Sequence, residues 1–149
     1  MLWLAAYLPD LSLDLLGRVS APGSSLAVVE GRGGRRRLVA VNEGARSLGV
    51  RPGLSLPAAW ALAPHLRVLE RDRGAEEEAI CNISSWAVQF TSFVSLMPAR
   101  GLLLEVGGSL DLFGGIDALR GAVAAGLAGM GYRSVLAVAP TPGGAWLLA

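Results

Sequence analysis

The chain has 149 residues, a mass of 15.4 kDa and a formal net charge of +1; 52% of its residues are hydrophobic and 17% charged. That balance is the reverse of a disordered chain's, so one domain with a sizeable core is expected, and whole-chain charge demands neither a nucleic-acid nor a membrane partner. All 13 basic residues are arginine, which excludes lysine amine chemistry; the single Cys81 excludes an intrachain disulfide and the single His65 a two-histidine zinc site, so a reducing, cytoplasmic setting fits best.

Residues 2–8 read as a buried strand ended by Pro9, followed by a short helix with Asp10 or Ser12 as its cap, carrying Leu11, Leu15 and Leu16 and stopped by Gly17. The start MLWLAAYLPD has no basic leader region, and no stretch reaches the ~18 unbroken apolar residues of a membrane span, so no membrane is expected. Residues 26–30 and 38–41 are predicted strands of a hairpin whose tip is GRGGRRR. Asn42 is expected to cap a helix over EGARSL, closed by Gly49, and Ser55 to open a second helix, LPAAWALA, with Pro57 in its first turn and Pro64 as its stop.

From Arg73 the character changes. Residues 76–90 carry Ala79, Ile83, Trp86 and Phe90 at helical spacing, with three glutamates in the first turn where the helix dipole favours them. Residues 93–97 and 102–106 predict a strand pair joined by PARG; Ile116, Leu119, Val123, Leu127 and Met130 mark one face of a long helix, and residues 132–139 a further strand. The chain stops at GGAWLLA, inside a young helix, as an N-terminal piece of a longer protein would. The pattern predicts an α+β sheet covered by helices. Charge is uneven: residues 32–51 hold six arginines against Glu43 alone, a local +5, whereas residues 74–149 hold three arginines against six acids.

Metal-assisted phosphoryl transfer needs several converging carboxylates. Asp10, Asp14, Glu105, Asp111 and Asp117 are the candidates, and each has a simpler structural reading. Ser109 lies in GGSLD, which is not a nucleophile elbow, and Cys81 beside Ile80 reads as a small core residue. GLAGMG ends a helix rather than opening one, unlike a dinucleotide fingerprint. The basic tip is the most informative surface feature. Arg35, Arg36 and Arg37 can reach phosphates, or can simply keep a hairpin edge soluble; Arg46 adds a fourth positive group on the nucleic-acid side.

Asn42, Ala45, Arg46, Gly49, Val50, Gly53, Ala58 or Ala59, and Pro64 together resemble the fingers pattern N-Y-E-A-R-x-x-G-[VI]-x-x-G-M of Y-family (UmuC/DinB-type) translesion DNA polymerases. FTSFVSLMPARGLLLEVGGSLDLFGG is similar to the segment ending S-I-D-E-A-Y-L-D, with Leu110, Asp111 and Leu112 at its tail; RSVLAVAPTPGGAWLLA is similar to the strand and helix carrying N-K. The departures fall on the nucleotide and metal positions. Matched to the family, the first-strand aspartate becomes Tyr7, the aromatic steric gate falls near Ser12, the carboxylate pair becomes Val106 and Gly107, the triphosphate-gripping tyrosine becomes Glu43, and the later lysine falls at Gly144. Glu105, one residue from Val106, points to the opposite face of its strand. This pattern resembles the catalytically inactive ImuB type.

The resemblance implies a ferredoxin-like polymerase palm from residues 1–17 and 73–149, with a basic fingers insertion at 18–72, no cofactor and no metal. It implies a DNA-binding adaptor in induced mutagenesis, contacting primer-template DNA through Arg35, Arg36, Arg37 and Arg46. The implied partners are a sliding clamp, an ImuA-type accessory protein and an ImuC-type error-prone polymerase, engaged through regions outside this chain. Alternatives are a divergent active polymerase using Asp10 and Glu105, and a protein-interaction module without DNA contact. The expected core includes Leu4, Ile83, Trp86, Phe90, Leu103, Val106, Leu112, Ile116, Val123 and Val135, with apolar groups and Tyr7 filling the lost metal site beside Val106.

Overall fold

A computed structural model describes residues 1–18, 21–98 and 100–149. The chain divides into two compact units, residues 1–11 with 74–149, and residues 12–73. The first holds a four-stranded antiparallel sheet in the order β5-β6-β1-β7, built from β1 (Trp3–Tyr7), β5 (Val94–Met97), β6 (Gly101–Glu105) and β7 (Val135–Ala139). The predicted β5–β6 hairpin is present; Ala99 of its PARG turn lies outside the described residues. The register pairs Trp3 with Glu105 and Tyr7 with Gly101 on one side of β1, and Trp3 with Ala139 and Tyr7 with Val135 on the other.

Strand alternation puts Trp3, Ala5 and Tyr7 on one face of the sheet. Helix α7 (Pro142–Leu148) lies on this face: Ala145 and Trp146 join Trp3, Ala5, Leu103 and Ala139 in one apolar cluster. Leu4, Ala6 and Leu8 point the other way and are fully buried, whereas Trp3 and Tyr7 are partly buried. Helices α4 (Arg73–Ala87) and α6 (Ile116–Gly129) meet where the Trp86 ring lies against Gly126, which leaves no room there for a β-carbon. Trp86, Phe90 and Phe113, the last on α5 (Leu110–Phe113), form an aromatic row with centroids 5.0 and 5.4 Å apart.

Two expected core residues are not in the core. Leu112 is 81% exposed because the GGSLD run makes a 3-10 turn and a one-turn helix, not the tail of a buried strand. Val135 is 38% exposed because β7 is an edge strand. Trp86 and Ile116 are only partly buried. Helix α4 starts at Arg73, so Glu76 alone of the three glutamates is in its first turn.

The second unit is a three-stranded sheet in the order β3-β2-β4, from β2 (Leu26–Glu30), β3 (Arg37–Val41) and β4 (Arg67–Glu70). β4, which lacks a local strand signature, pairs in parallel with β2. Ala27 and Val29 face a cluster with Ala45, Val50, Leu56 and Ala59, drawn from α2 (Glu43–Ser47), α3 (Leu56–Leu62) and the loop between them; Leu26 and Val28 face Leu13 and Leu16 of α1 (Leu11–Gly17). Both predicted helix caps are present: Asn42 Oδ1 accepts from Ala45 N–H and Ser55 Oγ from Ala58 N–H. α1 begins at Leu11, so Ser12 lies within its first turn and does not cap it. Among the described residues no single helix is long and apolar enough to cross a membrane.

Candidate functional site

In the first unit, the end of β1 meets the β5–β6 turn. Leu8 N–H donates to the Arg100 carbonyl at 2.9 Å, and the Arg100 guanidinium reaches the Pro9 carbonyl at 3.5 Å. Arg100 adopts φ 67°, left-handed backbone that a side chain other than glycine rarely takes. The next residue, Gly101, sits under Trp146: a β-carbon there would lie 2.5 Å from the indole and 2.6 Å from the Ala6 carbonyl. Trp146 also meets Tyr7 edge-on, with centroids 5.8 Å apart. Asp10, the carboxylate that follows β1 in the chain, is paired with Arg133 at 3.0 Å.

Val106 and Gly107 are not at this end. With Trp3 opposite Glu105 and Tyr7 opposite Gly101, the two expected halves of the site are separated by at least four strand residues, ~13 Å. The expected filling of one pocket by Tyr7 and Val106 is therefore corrected. Val106 is fully buried by itself, and Tyr7 packs against Trp146. Glu105 is at the Val106 end, where its Oε1 accepts from Leu2 N–H at 3.1 Å and Gly107 N–H at 3.0 Å. Asp10 and Glu105 thus lie toward opposite ends of the β1–β6 pair. Gly144 lies in the first turn of α7, its N–H bound by Thr141 Oγ1 at 3.1 Å.

The fold's resemblance implies a divalent cation at the end of β1. The residues there do not fit one: Tyr7 ends the strand, Arg100 and Gly101 meet it from β6, and the one carboxylate that follows, Asp10, is paired with Arg133, whereas hard cations need several oxygen ligands. Among the described residues no three His, Cys, Asp or Glu side chains converge.

In the second unit the basic residues fall into two groups. Gly31 to Arg36 form the hairpin tip, closed by a 3-10 turn over Gly33–Arg35. Asn42 and α2 lie at the other end of β3, so Arg46 is a strand's length, ~13 Å, from the tip and does not enlarge it. Within the tip the arginines differ. Arg36 pairs with Glu70 of β4. Arg37 turns back, its Nη1 donating to the Gly34 and Arg36 carbonyls. Arg51 likewise donates to the Arg46 and Val50 carbonyls. Arg32, Arg35 and Arg46 are exposed with no carboxylate partner among the described residues. Glu43 is exposed beside Arg46, and Ser12 is buried with its hydroxyl unpartnered among the described residues. At the base of the tip Glu30 binds Arg71 at 3.2 Å and Arg73 at 2.6 Å, and the Arg73 hydrogen bond above all holds its carboxyl below the usual glutamate range.

The sequence pattern singled out neither Arg100, Gly101, Trp146 nor Arg32. Arg100 and Gly101 were visible as the PARG turn, but only the pairing of β1 with β6 brings that turn to Tyr7.

This architecture is that of a Y-family polymerase-like protein. The chain matches a Y-family DNA polymerase chimera built on Dbh at TM-score 0.78 and 16% identity, covering 95% of this chain and 43% of that one. A post-insertion binary complex of Dbh DNA polymerase matches at TM-score 0.79 and 18% identity, with 95% and 42% covered, and DinB from Sulfolobus solfataricus at 0.74 and 20%, with the same shares covered. In sequence the chain is related to protein ImuB of Caulobacter vibrioides, in strain NA1000 / CB15N and in strain ATCC 19089 / CIP 103742 / CB 15, at 33% identity over 102 residues, 68% of this chain. It spans 22% of those relatives' length. No protein-family model matches the chain.

Proposed function

We propose that this chain is the polymerase-like, non-catalytic part of a DNA-binding adaptor in DNA damage tolerance, with a palm-like first unit and a fingers-like second unit. The observation that carries the reading is the end of β1, where Tyr7 ends the strand, Arg100 and Gly101 meet it from β6, and Asp10, the carboxylate that follows, is already paired with Arg133. A chain of this kind holds DNA without extending it. Recruitment of an error-prone ImuC-type polymerase, an ImuA-type protein and a sliding clamp would fall to the part of ImuB-like proteins that this chain does not span.

The exposed arginines without carboxylate partners supply the DNA contacts, with Arg35 and Arg46 at separate places on the second unit. Fluorescence anisotropy of a primed template across a salt series tests this. Each phosphate contact contributes about 0.9 to the log–log salt slope, so an Arg35→Gln/Arg46→Gln double variant is expected to flatten it by about 1.8. An unchanged slope sinks the assignment and favours the protein-interaction module. Primer extension with Mg²⁺ is expected to add no nucleotide; incorporation above background by the purified protein restores the active-polymerase reading.

A further inference from the structure

We propose that the end of β1 in the first unit is a metal-independent phosphate site, with Arg100 as its resident cation and a nucleic-acid phosphodiester as its ligand. This goes beyond the contacts assigned above, which lie on the second unit. Three observations carry it. First, Arg100 takes φ 67° in a tight hairpin turn, a position that glycine fills without strain. Its carbonyl accepts from Leu8 N–H, so an arginine stands where the local backbone favours glycine. Second, Arg100 is partly exposed and, among the described residues, has no carboxylate partner, its guanidinium making only the 3.5 Å approach to the Pro9 carbonyl. Third, the surroundings favour an anion over a cation. Asp10, the carboxylate next to Pro9, is neutralised by Arg133, leaving a local excess of one positive charge in a stretch where acids otherwise outnumber arginines.

Gly101, the residue after Arg100, lets the Trp146 indole lie close against the sheet on the face that Tyr7 shares. A planar guanidinium at this turn suits an oxyanion held by charge-assisted hydrogen bonds. Where the residues cannot gather oxygens around a metal ion, a fixed cation can serve the phosphate directly.

The test uses the full chain and a fluorescein-labelled primed template; the parent is measured with and without EDTA, and the salt series in EDTA is repeated for four variants. Parent binding is expected to be the same with EDTA as without it. Arg100→Gly and Arg100→Gln should each flatten the log–log salt slope by about 0.9, while Arg100→Lys keeps the parent slope. Arg100→Gly should also melt no lower than the parent, since glycine accepts the turn's backbone freely. A parental slope in Arg100→Gln, or binding that EDTA abolishes, overturns the proposal. Arg35→Gln in the same series separates the two readings: if it changes nothing while Arg100→Gln flattens the slope, the hairpin tip fails as a contact and the β1 site stands.

Discussion

Gly101 shows how tightly a single position is held. A methyl group there would press on the Trp146 indole, which can shift, and on the Ala6 carbonyl at 2.6 Å, which cannot, since it belongs to the central strand. Gly101→Ala should therefore lower stability by about 1–3 kcal/mol, read as a reduced midpoint in urea unfolding with an unchanged slope. Glu30 provides a pH-dependent counterpart. Its folded carboxyl titrates below the usual glutamate value of ~4.3 because Arg73, then Arg71, stabilise the charged form. A lowered folded value contributes stability that is present above the unfolded value and lost as pH falls through the folded one. Parent and Glu30→Gln should accordingly differ in melting temperature at about pH 7 and converge as pH drops below the glutamate range. A gap that widens on acidification would contradict that sign.

In the second unit one side chain ties several elements together. Asn42 Oδ1 accepts from both Ala45 N–H and Leu26 N–H, and its Nδ2 donates to the Ser24 carbonyl at 2.7 Å. It caps α2 and ties that helix to the start of β2. Asn42→Ala should cost about 2 kcal/mol, beyond an ordinary cap, because two further backbone groups lose partners; a loss under ~0.5 kcal/mol in thermal unfolding would refute this. Elements of this local kind were legible in the sequence. Both caps, Pro57 inside α3 and the Gly-rich tip follow from signals within a few residues of each other. β4 was not legible, because RVLE has no period of its own and becomes a strand only by lying parallel to β2. The arginine tip was legible as charge but not as geometry. That Arg36 would be consumed by Glu70 and Arg37 by its own turn depends on pairings made 34 residues away and on backbone direction.

At the scale of the molecule, the α+β class and the Y-family likeness were readable from the order of weak motifs, and the site was readable only in part. Tyr7 and the turn beside it were named separately, but the expected carboxylate positions were laid on Val106 and Gly107. Register between strands nearly a hundred residues apart leaves no trace in local periodicity, and sliding it moves a site from one end of a sheet to the other. The two units keep separate apolar clusters, Ala5 with Leu103 and Ala145 in one, Val29 with Leu38 and Ala59 in the other. Val29→Ala should raise hydrogen exchange across β2, β3 and β4 while β1, β6 and β7 keep their protection. Uniform loss across both sheets would show a single cooperative unit instead.

The central place of β1 also sets an order of events during synthesis. Trp3–Tyr7 is made before its two neighbours, Gly101–Glu105 and Val135–Ala139, which follow only after the entire second unit. The five residues of β1 must stay unpaired until then, while residues 12–73 already contain every strand of their own sheet. Early folding of that insertion shortens the effective loop that β1 must close, and loop closure is what slows distant strand pairing. Nascent chains stalled before residue 100 should therefore show a protease-resistant second unit and an accessible β1, with protection of β1 arriving only once β7 has been made.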